Sequence, residues 1–319
     1  MAAIAIWWPK RTGHLNRQVV AMKRVVIFTK GNLRRHEVIR LKDELDARGF
    51  TVEICRPHLF AIVMGADPVI TYQGKLFPLP DLLLARTGSG TRSHAATILS
   101  QMEAMGCLVV NSLASIQGAM NKIVTLQKAS FANLPIPRTM IRLASEDLAV
   151  GWKESGGSYP AVAKIPVGSQ GKGVFICRSA SQLTAIARLV NVLDPQISII
   201  VQEFVGEAGI DIRCFVVGGK AIGAMKRTGE EIANISAGGQ GEPFELSPKI
   251  IEISEKISQI LGLEIAGIDL LISGDEYVLC EANSSPGFKG FDKYCQSNMA
   301  GKIADYIVER LESLAGIES

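Results

Sequence analysis

Residues 267–290 read GIDLLISGDEYVLCEANSSPGFKG, and the rest of the chain can be interpreted outward from them. The stretch contains two apolar runs, each broken by one acidic residue, Asp269 in the first and Glu281 in the second. Apolar runs of this length between turn residues are typical of buried strands. Ser273-Gly274-Asp275-Glu276 supplies the turn residues, so the stretch predicts a β-hairpin.

Pairing across this hairpin is expected to bring its polar side chains together. A three-residue loop, Gly274 to Glu276, places Asp269 opposite Glu281, and the period-two alternation of a strand puts Asn283 on the same face. Facing carboxylates in an apolar setting repel each other and need positive charge nearby. The all-oxygen set favours Mg²⁺. The alternative is that each carboxylate pairs with a lysine or arginine, and the hairpin alone favours neither.

The composition limits the class of protein. The chain has 319 residues, of which 47% are hydrophobic and 20% charged, as in a well-cored soluble protein of one to three domains. A net charge of +3 does not by itself indicate nucleic-acid binding, and no apolar run approaches the roughly 18 residues of a membrane span. The six cysteines form no CxxC pair, which predicts a reducing cytoplasm rather than a zinc site or disulfides. All four histidines lie in the first third of the chain, which argues against a triad hydrolase built on the hairpin half.

The N-terminal part divides into an extension and an α/β domain. Residues 1–22 fit a secretory signal poorly, so we expect a disordered extension or an arm that packs on a partner subunit. From residue 23 to 112, strands and helices alternate, which predicts a small open parallel α/β domain. Arg86 follows the third predicted strand, at the edge where such sheets bind ligands. A solvated loop residue is an equally good interpretation of Arg86.

The central part, residues 113–203, contains a glycine-rich loop. A helix around Met120 to Phe131 precedes two strands, Tyr159 to Val167 and Val174 to Cys177, which flank the loop GSQGKG. Walker and Rossmann loops lead from a strand into a helix, whereas a strand both enters and leaves this loop. The pattern therefore predicts a hairpin that closes over phosphates through backbone N–H groups, or a merely flexible hairpin. Lys164 interrupts the apolar entering strand, and a lysine is seldom buried without an anionic partner.

The last part, residues 204–319, predicts a second α/β unit. The run DIRCFVVGGKAIGAMKR indicates a hairpin that turns at Gly218-Gly219, and a polar, glycine-rich segment follows it. Ser247-Pro248 predicts the start of a helix that ends at Gly262. An amphipathic helix, Ala300 to Leu314, follows the acidic hairpin that contains Asp269 and Glu281.

Three features occur in one order: Lys164 with the glycine loop, the strand end Gln202-Glu203-Phe204-Val205, and the acidic hairpin that ends in EANSSPG. This order resembles the ATP-grasp superfamily. The stretches QEFVGEAGIDIRCFVVGGK and EANSSPGFKGFDK resemble the RimK-like alpha-L-glutamate ligases, and the likeness extends over about residues 23–315. It implies an α/β (α+β) ATP-grasp fold of three subdomains. These are a Rossmann-like pre-ATP-grasp domain (23–112), a central subdomain with the glycine flap (113–203) and a C-terminal subdomain with the metal hairpin (204–319).

The resemblance also implies the ligands of the site. ATP would contact Lys122, Lys164, Gly168, Gln170, Gly171, Gly173, Gln202, Glu203, Phe204, Val205 and Asp211, with the two lysines at the phosphates, residues 202–205 at the adenine and Asp211 near the ribose. Two Mg²⁺ ions, with Mn²⁺ as the alternative ion, would bind Asp269, Glu281 and Asn283. The proposed catalytic residues are Lys164, Arg227 and Asn234, which would act on the phosphoryl group and the carboxylate substrate. The family usually has an arginine where this chain has Ile232, so Arg227 or Lys226 would supply that charge, or the substrate is bound differently.

The implied activity is that of an ATP-dependent carboxylate–amine ligase working through an acyl phosphate. It would add L-glutamate or a similar amino acid to a carboxylate of a peptide, a protein C-terminus or a small molecule. A ligase for an amino-group carrier protein and a dipeptide ligase are alternatives with the same fold. A nucleotide-binding regulatory subunit without turnover is a third, which Ile232 favours. The resemblance further implies a homo-oligomer, either a tetramer or a dimer.

Overall fold

The computed structural model describes residues 23–88, 91, 94–143, 147–165, 173–229 and 239–315. Within these ranges the chain is a mixed helix-and-sheet protein with a separate N-terminal unit, as the sequence predicts. No described helix is both long and apolar enough to cross a membrane. The subdomain boundaries named above stay a prediction.

The N-terminal unit is an open sheet. Its elements are β1 (Arg24–Phe28), α1 (His36–Ala47), β2 (Thr51–Cys55), β3 (Phe60–Val63), β4 (Val69–Tyr72), β5 (Lys75–Leu76), β6 (Leu82–Ala85), α2 (His94–Ala104) and β7 (Leu108–Val110). The main sheet has the order β2-β1-β6-β7, and every pair in it is parallel, which confirms the predicted topology. Strands β1 and β6 are almost entirely buried, because helices and loops cover both faces of a parallel sheet. The small antiparallel sheet β3-β4-β5 has strands too short for the pattern to predict.

The central unit carries the predicted hairpin on an antiparallel sheet. Its elements are α3 (Leu113–Met120), α4 (Lys122–Phe131), β8 (Thr139–Leu143), α5 (Leu148–Glu154), β9 (Ala161–Lys164), β10 (Val174–Cys177), α6 (Ala180–Leu193) and β11 (Ser198–Glu203). The sheet order is β10-β9-β11-β8. The predicted helix around Met120 to Phe131 is wrong at its start, because Asn121 ends α3 and caps α4. The Asn121 side chain accepts hydrogen bonds from the backbone N–H groups of Ile123 and Val124.

The C-terminal unit is a five-stranded antiparallel sheet covered by helices. Its elements are β12 (Ile210–Val217), β13 (Lys220–Thr228), β14 (Gln240–Phe244), α7 (Pro248–Leu261), β15 (Ile265–Ser273), β16 (Glu276–Asn283), α8 (Lys289–Tyr294) and α9 (Met299–Ala315). The strand order is β14-β13-β12-β15-β16. Helix α7 begins and ends as predicted, with Ser247 accepting from Ile250 N–H, Pro248 in the first turn and Gly262 in the left-handed region (φ 68°).

Helix α9 joins the first and last units through one hydrophobic core. Its buried face (Ile303, Ile307) packs in the same cluster as Val25 and Leu41 of the N-terminal unit and Phe215 of β12. The N-terminal sheet is therefore fixed against the sheet that carries the acidic hairpin.

Asn111, directly after β7, makes a second connection between these units. Its amide group donates to the carbonyl oxygens of Ile265 (2.7 Å) and Ser284 (2.8 Å) and accepts from the backbone N–H groups of Glu264 (2.7 Å) and Ile265 (2.9 Å). The side chain is only 2% exposed, so water cannot replace these bonds. Asn111 therefore ties the start of β15 and the residue after Asn283 to the N-terminal sheet.

Replacing Asn111 by alanine is expected to lower the free energy of unfolding by about 2–4 kcal/mol, because several buried backbone groups lose their partners. Urea denaturation measures the change. The matched control is Asn191→Ala on the exposed face of α6, which should change stability by less than about 0.5 kcal/mol. Equal stability of the two variants would contradict this role of Asn111.

Candidate active site

The acidic hairpin has the predicted pairing but not the predicted turn. The loop is two residues long, because Ser273 pairs with Glu276 and Ile272 with Tyr277. A β-bulge shifts the register between Asp269 and Leu270, so that Asp269 still pairs with Glu281. The extra residue on β16 is Cys280. The three-residue loop was therefore wrong, while the expected juxtaposition of the two carboxylates is confirmed.

A row of charged side chains runs across the sheet from β13 to β16. Arg227 pairs with Asp211, Arg213 pairs with Asp269, and Asp269 pairs with Glu281. Directly opposed residues in an antiparallel sheet lie on the same face, and so do residues two apart on one strand. The sequence pattern D-x-R at the start of β12 thus places two opposite charges on the same face of the sheet.

Asp269 is almost completely buried and is bound by two arginines. Arg213 donates from Nε to Oδ1 and from Nη2 to Oδ2, both at 2.6 Å, and Arg227 Nη2 lies 3.0 Å from Oδ2. Burial alone would raise the pKa of Asp269, but the two guanidinium groups together hold that pKa below its usual value. The carboxylate is therefore ionised across the physiological range.

Asp211 shares Arg227 with Asp269. Arg227 donates from Nε and Nη2 to the two carboxylate oxygens of Asp211, at 2.6 and 2.5 Å. Burial, together with the nearby charge of Asp269, raises the pKa of Asp211 despite this pairing. Of the two aspartates, Asp211 is the one that takes up a proton first as the pH falls.

Two lysines from outside the sheet reach the bulge of β16. Lys122 Nζ, at the start of α4, lies 3.3 Å from Glu281 Oε2. Lys164 Nζ, on β9 of the central sheet, lies 3.8 Å from Cys280 Sγ. One surface between the central and C-terminal sheets therefore brings together residues that lie far apart in the sequence: Lys122, Lys164, Asp211, Arg227, Asp269, Glu281 and Asn283. The predicted adenine residues 202–205 and the glycine loop are not among these described residues.

The oxygen donors on this surface fit a hard divalent cation. Glu281 has 34% of its side chain exposed. Asn283 donates its amide N–H groups to Gly267 O and Asp269 Oδ2, and its Oδ1 has no hydrogen bond among the described residues. Two carboxylates and a free amide oxygen are the kind of ligands that Mg²⁺ takes. The described residues contain no cluster of three or more His, Cys, Asp or Glu side chains in metal-binding geometry.

The contacts around these oxygens also agree with the alternative interpretation, in which each carboxylate pairs with a lysine or arginine. Asp269 is paired with Arg213 and Arg227, and Glu281 with Lys122. The sheet surface therefore carries enough positive charge to balance both carboxylates by itself. A cation at Glu281 would compete with Lys122, whereas Asp269 keeps its arginines and one lone pair on Oδ1.

The strand end Gln202 to Val205 forms the connection between the two sheets. Gln202 is buried and donates from Nε2 to Thr139 Oγ1 (2.9 Å), while Glu203 Oε1 accepts from Arg138 N–H (2.8 Å). Residues 203–205 are half-buried. Gly206 follows with φ 73°, and a Cβ there would lie 2.6 Å from Ile272 O, so only glycine allows the chain to pass β15.

The glycine hairpin is confirmed at its base. β9 and β10 are antiparallel, with Val174 opposite Lys164, and Ile165 N–H donates to Gly173 O (3.0 Å). A strand therefore enters and leaves the loop, as expected. Gly168, Gln170 and Gly171 of the loop lie outside the described residues, as do Asn234 and Ile232.

Lys226 cannot take the place of Arg227 in the charged row. Adjacent residues of a strand face opposite sides of a sheet, and Lys226 pairs with Glu242 (3.1 Å) on the other side. Arg227 or Lys226 was expected to supply the positive charge that Ile232 lacks, and of these two Arg227 is the one next to Asp211 and Asp269.

Sequence reasoning did not include Arg213 and Cys280 in the site. Arg213 had a readable signal, because it lies two residues after Asp211 on a strand and therefore on the same face. Cys280 had none, since the bulge that turns it toward Lys164 follows from the pairing of two strands and a two-residue turn.

Two family models match the chain. The one described as the RimK-like ATP-grasp domain matches residues 119–307, and the one described as the RimK pre-ATP-grasp domain matches residues 22–116. Among similar proteins is a probable alpha-L-glutamate ligase of Legionella pneumophila (strain Corby). It is 34% identical over 301 residues, which cover 92% of this chain and 98% of that protein.

Two solved structures show the same fold. The RimK domain ATP-grasp protein of Sphaerobacter thermophilus superposes with a TM-score of 0.70 at 22% identity, over 89% of this chain and 98% of the other. The ATP-grasp ligase PsnB, solved with a phosphomimetic variant of its minimal precursor, Mg and ADP, gives 0.70 at 19% identity, over 91% and 99%.

Proposed function

The chain belongs to the RimK-like ATP-grasp family and is an ATP-grasp ligase, and from that premise we propose that it joins the amine of L-glutamate, or a similar amino acid, to a carboxylate of a peptide, protein or small acid. ATP provides the energy and is converted to ADP and phosphate. The observation that supports the proposal best is the convergence of Lys122 and Arg227 on the carboxylates of β15 and β16, with Lys164 beside Cys280 of the same hairpin.

The chemistry requires charge neutralisation more than a protein nucleophile. A carboxylate does not condense with an amine in water unless it is activated, and transfer of the γ-phosphoryl group of ATP gives an acyl phosphate that the amine attacks. Phosphoryl transfer depends on positioning and on positive charge around the phosphates. Lys122 and Lys164 are the cations proposed to contact the phosphates, and Arg227 the one that stabilises the transferred group.

ATP is proposed to lie between the central and C-terminal sheets. The adenine would contact the connection formed by Gln202, Glu203, Phe204 and Val205, and Asp211 would lie near the ribose. Gly173 and the remaining flap residues Gly168, Gln170 and Gly171 would cover the phosphates and exclude water from the acyl phosphate. Asn234 is proposed to contact the carboxylate substrate.

The family uses ATP with Mg²⁺, and Asp269, Glu281 and Asn283 are the residues that would hold the metal. When bound, Mg²⁺ supplies positive charge at the phosphate oxygens. Arg213 keeps Asp269 ionised and fixed in orientation for this role. We propose two ions, as in the sequence-based expectation, and Mn²⁺ as a substitute.

The substrate proposal rests on the relatives. The curated relatives are named probable alpha-L-glutamate ligases, and PsnB was also solved with its precursor peptide PsnA2. A peptide or protein carboxylate is therefore the first acceptor class to test, ahead of a carrier protein or a single amino acid. A homo-oligomer, tetrameric or dimeric, also stays part of the proposal.

A nucleotide-binding regulatory subunit without turnover is the alternative function. It would keep the same ion pairs of the hairpin carboxylates with Lys122, Arg213 and Arg227.

Mg²⁺-dependent ADP release is expected only when an amino acid and a carboxylate acceptor are both present. A coupled assay over a panel of amino acids, peptides and small acids measures it, with EDTA as the metal-free control. Release with glutamate and one acceptor class would identify the substrates. Measurable ATP binding without ADP release for any pair would contradict the ligase and favour the regulatory subunit.

A further inference from the structure

A crevice at the carboxyl edge of the N-terminal sheet carries an arginine that the proposed ATP site does not use. In the order β2-β1-β6-β7, the chain passes from β1 to one side and from β6 to the other, so the topological switch point lies between β1 and β6. Open parallel sheets bind ligands in the crevice at that point, outside the carboxyl ends of the strands. Thr29 follows β1 and Arg86 follows β6 at this place.

Arg86 is recessed in the crevice rather than solvated. Its Nη2 donates to Pro286 O (2.6 Å), and its guanidinium carbon lies 5.9 Å from the centre of the Phe288 ring, which is fully buried. The remaining N–H groups of the guanidinium have no hydrogen-bond partner among the described residues. The residue as a whole is half-buried.

No carboxylate of the described chain neutralises Arg86 within salt-bridge distance. Glu37 is near enough to favour its charge, but Arg35 opposes it, and burial lowers the pKa of Arg86 to about 10. Arg35 lies over Gly31, where a Cβ would be 3.2 Å from its Nη1, beside Thr29. Among the described residues, Arg86 therefore has a second cation, Arg35, and one carboxylate, Glu37, near it, and no carboxylate forms a salt bridge with it.

The other wall of the crevice is the loop that follows the acidic hairpin. Ser285 lies against Gly88, Pro286 accepts from Arg86, and Glu37 lies 3.1 Å from the position of a Cβ on Gly287. This loop begins one residue after Asn283 and is held by the bond from Asn111 to Ser284 O. A ligand on Arg86 thus lies between the N-terminal sheet and the end of the strand that carries Glu281 and Asn283.

We propose that Arg86 binds a carboxylate of the amine-bearing substrate, one that the ligation leaves unmodified. The proposal rests on the proposed ligase function and adds a residue that selects an acidic amino acid. The planar fork of an arginine matches a carboxylate through two parallel hydrogen bonds, and the donors that Pro286 does not use are free for this. A neutral amide in the same place leaves the buried cation unpaired, so the crevice discriminates against it.

Binding is tested by isothermal titration calorimetry without turnover, in the presence of a non-hydrolysable ATP analogue and Mg²⁺. The probes are the amino acid that supports ADP release, or L-glutamate if none does, and its counterpart with every carboxylate converted to an amide. The wild type should bind the acid at least about 10-fold more tightly than the amide. Arg86→Gln should weaken binding of the acid by about 30-fold and leave binding of the amide unchanged, and Arg86→Lys should fall between.

Two controls separate the site from general effects. Arg34→Gln removes the same charge from an exposed position on the same edge and should leave both dissociation constants unchanged. The melting temperature of Arg86→Gln should equal or exceed that of the wild type, since the variant removes a recessed charge that has no salt bridge to a described carboxylate. Wild-type affinity of Arg86→Gln for the acid, equal losses for acid and amide, or no binding of the acid by the wild type would each overturn the proposal. ADP release by the wild type, measured separately, decides the ligase function whatever the binding result.

Discussion

Replacing Glu281 by glutamine is expected to reduce Mg²⁺-dependent ADP release by about 100- to 1000-fold while the protein stays folded. The substitution keeps the size of the side chain but removes the negative charge that a divalent cation needs. Glu281 is 34% exposed and forms an ion pair with Lys122, so the free energy of unfolding should fall by less than about 1 kcal/mol. Initial rates at saturating ATP and a thermal melt measure the two effects.

Glu276→Gln is the matched control, because Glu276 lies on the same strand, at the turn of the same hairpin, and pairs with Lys249 while 65% exposed. Its ADP release should equal that of the wild type. Near wild-type turnover of Glu281→Gln would show that the Glu281 carboxylate is not a metal ligand. It would contradict the proposal that the acidic hairpin holds the Mg²⁺ used in the reaction.

Replacing Asp269 by alanine is expected to abolish ADP release and, in addition, to lower the free energy of unfolding by about 3–5 kcal/mol. The sequence alone predicts a folded, inactive variant. In the structure, however, Asp269 is buried and its carboxylate accepts hydrogen bonds from Arg213 and lies 3.0 Å from Arg227. Alanine leaves both guanidinium groups without this partner in a buried place, which is the costly way to break an ion pair.

A double variant distinguishes the two effects. Asp269→Leu combined with Arg213→Met replaces the closest pair by apolar side chains and should recover much of the lost stability without restoring ADP release. Asp275→Ala, at the exposed turn of the hairpin, is the control for both measurements. If Asp269→Ala unfolds at the same denaturant concentration as the wild type, the two arginines are not held by Asp269 in solution.

The local patterns of the sequence were enough for the class of fold and for most elements around the site. Apolar runs, capping residues and glycines predicted the parallel N-terminal sheet, the limits of α7 and the two hairpins of the C-terminal sheet, because these features depend on residues close together in the chain. Short strands such as β5, and the break between α3 and α4 at Asn121, were not predicted from the sequence. Each involves too few residues to show the hydrophobic period of a strand or helix.

The sequence by itself also determined which residues carry charge inside apolar strands, and hence the candidates Lys164, Asp269 and Glu281. Only the tertiary structure decided their partners. The bulge at Cys280 depends on how the two strands of the hairpin pair. The arginines on Asp269 come from other strands of the sheet, and Arg86 meets Pro286 across 200 residues of sequence. No period or spacing in one strand specifies which side chain of another strand it will meet. The sequence could therefore predict the place of the site, while the charge balance that decides its chemistry arises from the packing of the sheets.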